Sequence, residues 1–374
     1  MDICSQCVMD TTDPDIVFDQ NQVCNHCQDF NLNKGHYNFT SIEIEENLKS
    51  FKKEVKTRAQ NSLSEYDSII GLSGGLDSSY ICHLAKELEL NPLCLHFDNG
   101  WNSDIAVSNI RNLVNICDFE LLTIVMDWPE FRGIQRAFFK AGVIDIELIT
   151  DNAIYALAYR EAKKRKIRSW ISGSNYLTEH GMPRRWNWPK QDYKNIKDIY
   201  KKFEGKKVRK LPLYGPHTYA LIRAFNFGGV KYFKPLDLIN YKSSEAKKVL
   251  QEKYGWKSYG EKHEESVFTN FYQNYVLPKK FGVDKRLVHL SAKIRNKEIT
   301  KEQALSVLEE NPMNSSSTLR NKKFFLKKLN FNEDEFDKLM QEEPIPHSTY
   351  KNTKDWQNFY EFAYKLKYKF SINN

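Results

Sequence analysis

The sequence lacks any run approaching the roughly 20 apolar residues that a membrane-spanning helix needs. Its opening, Met1-Asp2-Ile3-Cys4, lacks the basic stretch followed by an apolar one that marks a secretory leader. These two absences lead to the expectation of a cytoplasmic protein with no membrane partner. There is no internal repeat and no low-complexity tract. A content of 41% hydrophobic, 13% aromatic and 28% charged residues excludes a disordered or collagen-like chain. The 374 residues suffice for two or three domains with a buried core. Lys and Arg number 56 against 48 Asp and Glu, a net +8 that suits an anionic partner. Nucleic acid, nucleotide, nucleotide-sugar and acidic sugar are all compatible with it, as is a positive surface with no specific ligand.

Seven cysteines, an odd number in a large chain, argue against a disulfide framework. Four of them form two C-x-x-C pairs, Cys4 with Cys7 and Cys24 with Cys27, separated by 16 residues. One such turn holds two thiolates on one side of a metal, and a second closes the other side. The residues between them read as a turn, a short strand and another turn. A structural zinc ribbon or knuckle is expected, with all four ligands from protein and His26 pointing away. Cys82, Cys94 and Cys117 lie inside apolar patterns and read as buried core thiols.

Tyr66 to Leu72 reads as a short buried strand, and Tyr80 to Leu88 as a helix. Between them lies Ser73-Gly74-Gly75-Leu76-Asp77-Ser78-Ser79. Two glycines let the backbone turn sharply and approach a ligand. The free N–H groups of the first helical turn favour an anion. Ser73, Ser78 and Ser79 add hydroxyl donors. Asp77 would repel a bare phosphate, so it is expected to hold a metal ion or orient the loop. No Gly-Lys-Ser/Thr follows, and the spacing is not Gly-x-Gly-x-x-Gly. The Ser-Gly-Gly-x-Asp-Ser loop instead resembles the ATP pyrophosphatase (PP-loop) superfamily. That resemblance implies cleavage of ATP between its α- and β-phosphates, with the loop gripping pyrophosphate.

Further strands are expected at Asn91–Phe97, Glu120–Val125 and Ser169–Ser172, with helices at Ser103–Cys117 and Asp151–Lys164. This alternation predicts an α/β fold, a parallel sheet with helices on both faces. Ligands of such sheets bind beyond the carboxyl ends of the strands. Ser73, Asp98 and Gly173 fall at those ends. The resemblance implies that Asp98 borders the adenosine and Gly173 the adenylate; an ordinary turn is the other reading of Asp98-Asn99-Gly100. The basic and aromatic stretch His180–Lys190 suits either a lid over a charged substrate or a surface loop with aromatic anchors. Lys194 to Lys210 reads as a mostly helical basic face. A helix opens at Lys242-Ser243-Ser244-Glu245 with serine as its cap, and Thr300-x-x-Gln303 is a capping box. Three more amphipathic helices are expected from Ser317 onward, so the C-terminal part is expected to be all-helical.

The cysteine ribbon, the Ser73–Ser79 loop and the block from His263-Glu264-Glu265-Ser266 through Leu277-Pro278-Lys279-Lys280 to Arg286 and His289 are together similar to the N-acetyl sugar amidotransferase family. These PP-loop enzymes belong to lipopolysaccharide O-antigen and pseudaminic or legionaminic acid biosynthesis. The similarity runs to about Leu308. It implies ATP- and Mg2+-dependent conversion of a sugar acetamido group to acetamidino, on a nucleotide-sugar or nonulosonic acid. Ammonia would come from a separate glutaminase. His263, Glu264 and His289 are candidates for proton transfer or sugar contact, or make ordinary polar contacts. Lys279, Lys280 and Arg286 suit a carboxylate or diphosphate, or a solvated face. Three regions follow: a ribbon over 1–40, a nucleotide domain over 41–240, and a helical substrate or partner domain over 241–374.

The chain itself lacks a glutamine-hydrolysing nucleophile. An N-terminal-nucleophile enzyme needs Cys after Met, where Asp2 stands, and none of the isolated cysteines sits on a strand-to-helix elbow. A tRNA-modifying PP-loop enzyme, thiolase or lysidine-synthetase-like, is the alternative. A thiolase would want a reactive cysteine pair in the nucleotide domain, and Cys82, Cys94 and Cys117 have no such spacing. The lysidine-synthetase-like alternative stays open, with nucleic acid the less expected partner. A nucleotide sensor without turnover is the non-enzyme alternative.

Overall fold

A computed structural model describes residues 2–215, 229–259 and 265–355. Five strands form one parallel sheet: β1 Ser68–Gly71, β2 Pro92–Asp98, β3 Glu120–Val125, β4 Ser169–Ile171 and β5 Lys231–Phe233, in the order β3-β2-β1-β4-β5. Ile70 of β1 pairs with Cys94 on one side and Ile171 on the other. The central strands are nearly continuous apolar runs because helices cover both faces. The short strand β5 was not anticipated; three residues are too few to show a pattern.

In chain order the helices are α1 Asn25–Asn33, α2 Ser41–Ser62, α3 Leu76–Glu87, α4 Asp104–Cys117, α5 Trp128–Ala141, α6 Leu148–Lys164, α7 Tyr176–Glu179 and α8 Tyr193–Glu204. Beyond the sheet come α9 Ser243–Tyr254, α10 Val267–Phe271, α11 Arg286–Arg295, α12 Lys301–Glu309, α13 Ser316–Leu329 and α14 Glu333–Gln341. The expected fold class stands: a parallel α/β sheet with a cysteine cluster before it and helices after it. Thr40 opens α2 with a capping box, as Thr300 opens α12. Tyr272–Phe281 continues α10 as a π-helix containing Pro278. Proline has no N–H to donate and crowds the preceding turn, which favours the wider coil.

Two local expectations need correcting. Helix α9 is capped at Lys242 without a side-chain bond, and Ser243 is its first helical residue. Glu298 does the capping from a distance: it accepts hydrogen bonds from the Ser243 hydroxyl and from Ser244 N. Between the cysteine pairs there is no strand. Single antiparallel bridges, Ile3 to Asp10 and Phe18 to Cys24, close two knuckles.

One apolar cluster runs from Cys4, Val8 and Met9 through Trp101, Phe131 and Phe138 to Phe271, Val288, Phe325 and Phe336. It joins the cysteine knuckles, α5 and the C-terminal helices into a single core. A second cluster packs α2, α3, α4 and α9 against the sheet. Among the described residues no helix is long and apolar enough to cross a membrane.

Candidate functional site

The sheet order reverses between β1 and β4, so the turns after these strands flank a crevice. Ser73–Gly75 follows β1 and Ser172–Ser174 follows β4. The two turns touch: a Cβ on Gly173 would stand 2.8 Å from the Asp77 carbonyl carbon. A Cβ on Gly74, whose φ is +81°, would stand 2.5 Å from Ala106 O. Glycine is thus required at both places, once for close approach and once also for a left-handed backbone.

The crevice opens into a cleft of about 770 Å³. Ser73, Gly75, Asp77, Ser78 and Gly173 line it, whereas Gly74 and the fully buried Ser79 do not. Gly74 supports the loop from behind. Its carbonyl accepts a hydrogen bond from Trp256 Nε1 at 3.2 Å and from Asn109 Nδ2 at 3.5 Å. Ser73 N–H donates to Ser78 Oγ at 3.3 Å, Gly75 N–H to Ser73 Oγ at 3.2 Å, and Leu76 N–H to the Tyr259 hydroxyl at 2.9 Å. The Tyr241 hydroxyl donates to Asp77 Oδ1 at 2.5 Å. Burial, and then the Asp77 charge, push the Tyr241 phenol well above its ordinary pKa, so it stays a donor. Tyr241, Trp256 and Tyr259 form a clasp around the loop that sequence reading missed. They lie over 160 residues downstream of the groups they hold, with no local pattern to betray them.

Asp98 does not line the cleft. Its carboxylate turns into its own loop, accepting from Gly100 N at 2.8 Å and Asn102 Nδ2 at 3.4 Å. His96, Phe97, Asn99 and Asn102 are the residues at that strand end that face the cleft. Lys279, Lys280 and Arg286 are also outside it. Lys279 donates to the Tyr275 hydroxyl at 3.0 Å, and Lys280 to the carbonyl of Glu342 at 2.7 Å and that of Leu339. Arg286 pairs with Asp284 at 2.7 Å and ties the carbonyls of Val307 and Glu310. His289 does line the cleft, on the inner face of α11, together with Lys285 and Lys293. The spacing 285, 289, 293 is one helical stripe. Arg286 stands about 100° round the helix from Lys285 but only about 20° from Lys293, so its tie to Asp284 at the helix start, and not its face, keeps it out of the cleft. His263 and Glu264 lie outside the described residues. Their neighbour Glu265 borders the loop, with Oε1 2.9 Å from where a Gly75 Cβ would be.

Away from the loop the cleft ends in ion pairs. Lys190 reaches Asp145 at 2.7 Å and Asp151 at 2.9 Å, and Lys285 reaches Glu147 at 3.1 Å. Burial works against the Lys190 charge, yet the two aspartates push its pKa above the ordinary value. Burial also works against Asp145, but Lys190 and Lys285 hold it below the usual carboxylate range. The stretch 180–190 thus puts Lys190 into the cleft and anchors itself with aromatics. Trp186 is buried, and Trp188 stacks on His347 with centroids 5.0 Å apart.

The four paired cysteines converge. Their sulfurs all lie within 4.8 Å of one another, with Cys4 to Cys27 at 3.9 Å and Cys7 to Cys24 at 3.7 Å. Tetrahedral metal–sulfur bonds of about 2.3 Å place sulfurs about 3.8 Å apart, so the set fits a metal ion. Hydrogen bonds within the set lower the Cys4 and Cys7 thiols, while Cys24 and Cys27 are raised. Four thiolates cannot coexist there without a cation. His26 is turned away, 2.7 Å from Asp13. Cys82 on α3 and Cys94 on β2, twelve positions apart, meet at 3.9 Å. Both are fully buried, and the shared hydrogen bond and burial push the Cys82 thiol well up, which leaves it unsuited to attack.

Fold and loop together define a parallel α/β protein with a Ser-Gly-Gly-x-Asp-Ser turn at the switch point of its sheet. Residues 265–366 match the family model of the C-terminal domain of WbpG-like LPS biosynthesis proteins. An uncharacterized protein of Methanocaldococcus jannaschii, MJ1599, is 28% identical over 132 residues; the match spans 34% of this chain and 44% of that protein. Among solved structures, NMN synthetase from Francisella tularensis is 17% identical over 63% of this chain and 94% of that one, at a TM-score of 0.31. The U34-tRNA thiolase NcsA from Methanococcus maripaludis is 15% identical over 84% and 92%, at 0.32. The NH3-dependent NAD synthetase from Campylobacter jejuni is 19% identical over 36% and 58%, at 0.29. Superpositions this loose do not bear on function.

Proposed function

We propose that the protein is an ATP-dependent, AMP-forming N-acetyl sugar amidotransferase of lipopolysaccharide-type sugar biosynthesis. The observation that carries this reading is the Ser73–Ser78 turn at the sheet's switch point, facing one cleft with the Lys285–His289–Lys293 stripe. The stripe belongs to the segment that matches WbpG-like proteins, which supports an acceptor from that chemistry.

An amide carbon is a poor electrophile and its oxygen a poor leaving group. The acetamido oxygen attacks the α-phosphorus of ATP, and the bond to the β-phosphate breaks to release pyrophosphate. Ammonia adds to the activated carbon, and AMP departs with the former amide oxygen, leaving an acetamidino group. The work of the protein is positioning and charge stabilisation. The loop amides and hydroxyls grip the pyrophosphate half. Asp77, aligned by Tyr241, and Glu265 would hold Mg2+, which neutralises charge on the departing group. Lys293 and His289 face the acceptor, and Lys285 and Lys190 fix the carboxylates at the far end. Zinc in the cysteine knuckles has a structural role, since all four ligands are protein.

No cysteine here suits glutamine hydrolysis, so ammonia is supplied by a separate glutaminase. The test is incubation with ATP, Mg2+, ammonium and a panel of acetamido sugars. The expected product is about one dalton lighter than its substrate, with AMP and pyrophosphate formed in step. ADP and orthophosphate, or turnover with glutamine alone, would refute the reading.

A further inference from the structure

Three N–H groups of the phosphate loop, on Ser73, Gly75 and Leu76, each donate to a side-chain hydroxyl. Ser73 and Ser78 supply two of these oxygens from within the loop; the third comes from Tyr259. A hydroxyl oxygen in front of an N–H has the reach and polarity of a phosphate oxygen, so the two compete for one donor. The Tyr259 contact is also the shortest of the three, at 2.9 Å, and it involves Leu76, the first residue of α3. An anion drawn to that helix start meets this N–H directly.

The oxygen is held there by built contacts. The Tyr259 ring meets Trp256 edge-on with centroids 5.3 Å apart. Trp256 is buried and donates to Gly74 O. Lys257 is clamped at both its N–H and its carbonyl by the Asn109 amide, at 2.8 and 2.9 Å. The strap from Trp256 to Tyr259 therefore lies across the loop with its hydroxyl aimed at one amide.

We propose that Tyr259 is a built-in competitor of pyrophosphate: its hydroxyl takes the place of one phosphate oxygen at Leu76 N–H, yields to the nucleotide, and returns to help expel pyrophosphate. This rests on the reading that the loop grips the pyrophosphate half of ATP, and it adds a residue that sets the affinity for that half alone.

The test is Tyr259→Phe in the full chain, which keeps the ring against Trp256 and removes only the oxygen. Binding of inorganic pyrophosphate with Mg2+, and of adenosine, is measured by calorimetry. A competing hydrogen bond of ordinary strength predicts pyrophosphate binding about two- to ten-fold tighter, with adenosine unchanged. In turnover, inhibition by added pyrophosphate strengthens by the same factor. Pyrophosphate affinity that is unchanged or weaker in the variant, at an unaltered melting temperature, overturns the proposal. A lowered melting temperature is met by Tyr259→Leu, which must also bind pyrophosphate more tightly. Failure of the unmodified protein to bind pyrophosphate at all would instead remove the reading of the loop, and this inference with it.

Discussion

Gly173 and Asp77 meet across the switch point, with a Cβ on the glycine lying 2.8 Å from the aspartate's carbonyl carbon. The turn after β4 is thereby pressed against the first turn of α3, and the two walls of the crevice keep a fixed separation. Gly173→Ala must push them apart. Overpacking of this kind costs about 1–3 kcal/mol. The expected outcome is a loss of about ten-fold or more in kcat/KM for ATP, measured as pyrophosphate release.

Tyr241 aligns Asp77 through a buried hydroxyl. Tyr241→Phe leaves the packing and removes the donor. A hydrogen bond to a charged group is worth about 1.5–3 kcal/mol. A fall of about ten- to a hundred-fold in kcat/KM for ATP is expected. The dependence on Mg2+ concentration shifts upward, because Asp77 loses its preferred orientation; an unchanged Mg2+ titration would count against that role.

Two basic residues of α11 separate binding from folding. Lys293→Ala, on the cleft face, is expected to raise KM for the sugar about ten-fold with a change of less than two degrees in Tm. Arg286→Ala, two turns away and held by Asp284, unties the carbonyls of Val307 and Glu310 and should lower Tm with KM kept. Steady-state kinetics alongside thermal melts read both effects. A reversed pattern would restore Arg286 as the binding residue.

His347 couples stability to pH. It is 2% exposed, and burial depresses its pKa to about 4 from an ordinary 6.5. Its ring accepts from Asp145 N–H at 3.1 Å and pairs with Asn195 Oδ1 at 2.7 Å. The unfolded chain binds the proton first. Stability is therefore full above about pH 6.5 and falls as the pH drops toward 4, by up to about 3 kcal/mol. Urea midpoints across this range should show the fall, and His347→Gln should flatten it. Because Asp145 holds Lys190, loss of this bond also reaches the cleft.

The parts written in local sequence were legible. The strand, the Gly-Gly turn and the helix at Ser73 announce themselves within twenty residues, and paired cysteines at fixed spacing announce a metal cluster. Those features depend on neighbours along the chain. Helices α2 and α5, capped at Thr40 and Asp127, are absent from the sequence expectations above. The clasp of Tyr241, Trp256 and Tyr259 was illegible for a different reason. A tyrosine or tryptophan in a helix-flanking segment looks the same whether it fills core or reaches a loop 180 residues back. Asp98 and Arg286 show the complementary case: each stands in the expected place, but local pairing turns its charge away from the cleft.

Removing the metal should be felt beyond the knuckles. Ser291 Oγ, on α11, accepts from Val8 N at 3.2 Å, and Lys301 Nζ reaches Cys4 O at 2.6 Å. Chelation, or Cys24→Ser, is expected to lower Tm by several degrees and to raise KM for the sugar, since α11 carries His289 and Lys293. One metal ion per chain, by elemental analysis, is the expected stoichiometry.

Val8 and Ser291 also bear on how the molecule is made. The first thirty residues leave the ribosome long before the helices that cover them, and 283 positions separate these two partners. Until translation has passed α12, the apolar side of the knuckles faces solvent. Metal capture can come early, since all its ligands have emerged, whereas burial of that side is among the last events of synthesis. A nascent chain stalled before Ser291 should thus hold its ion and yet be a client for chaperones.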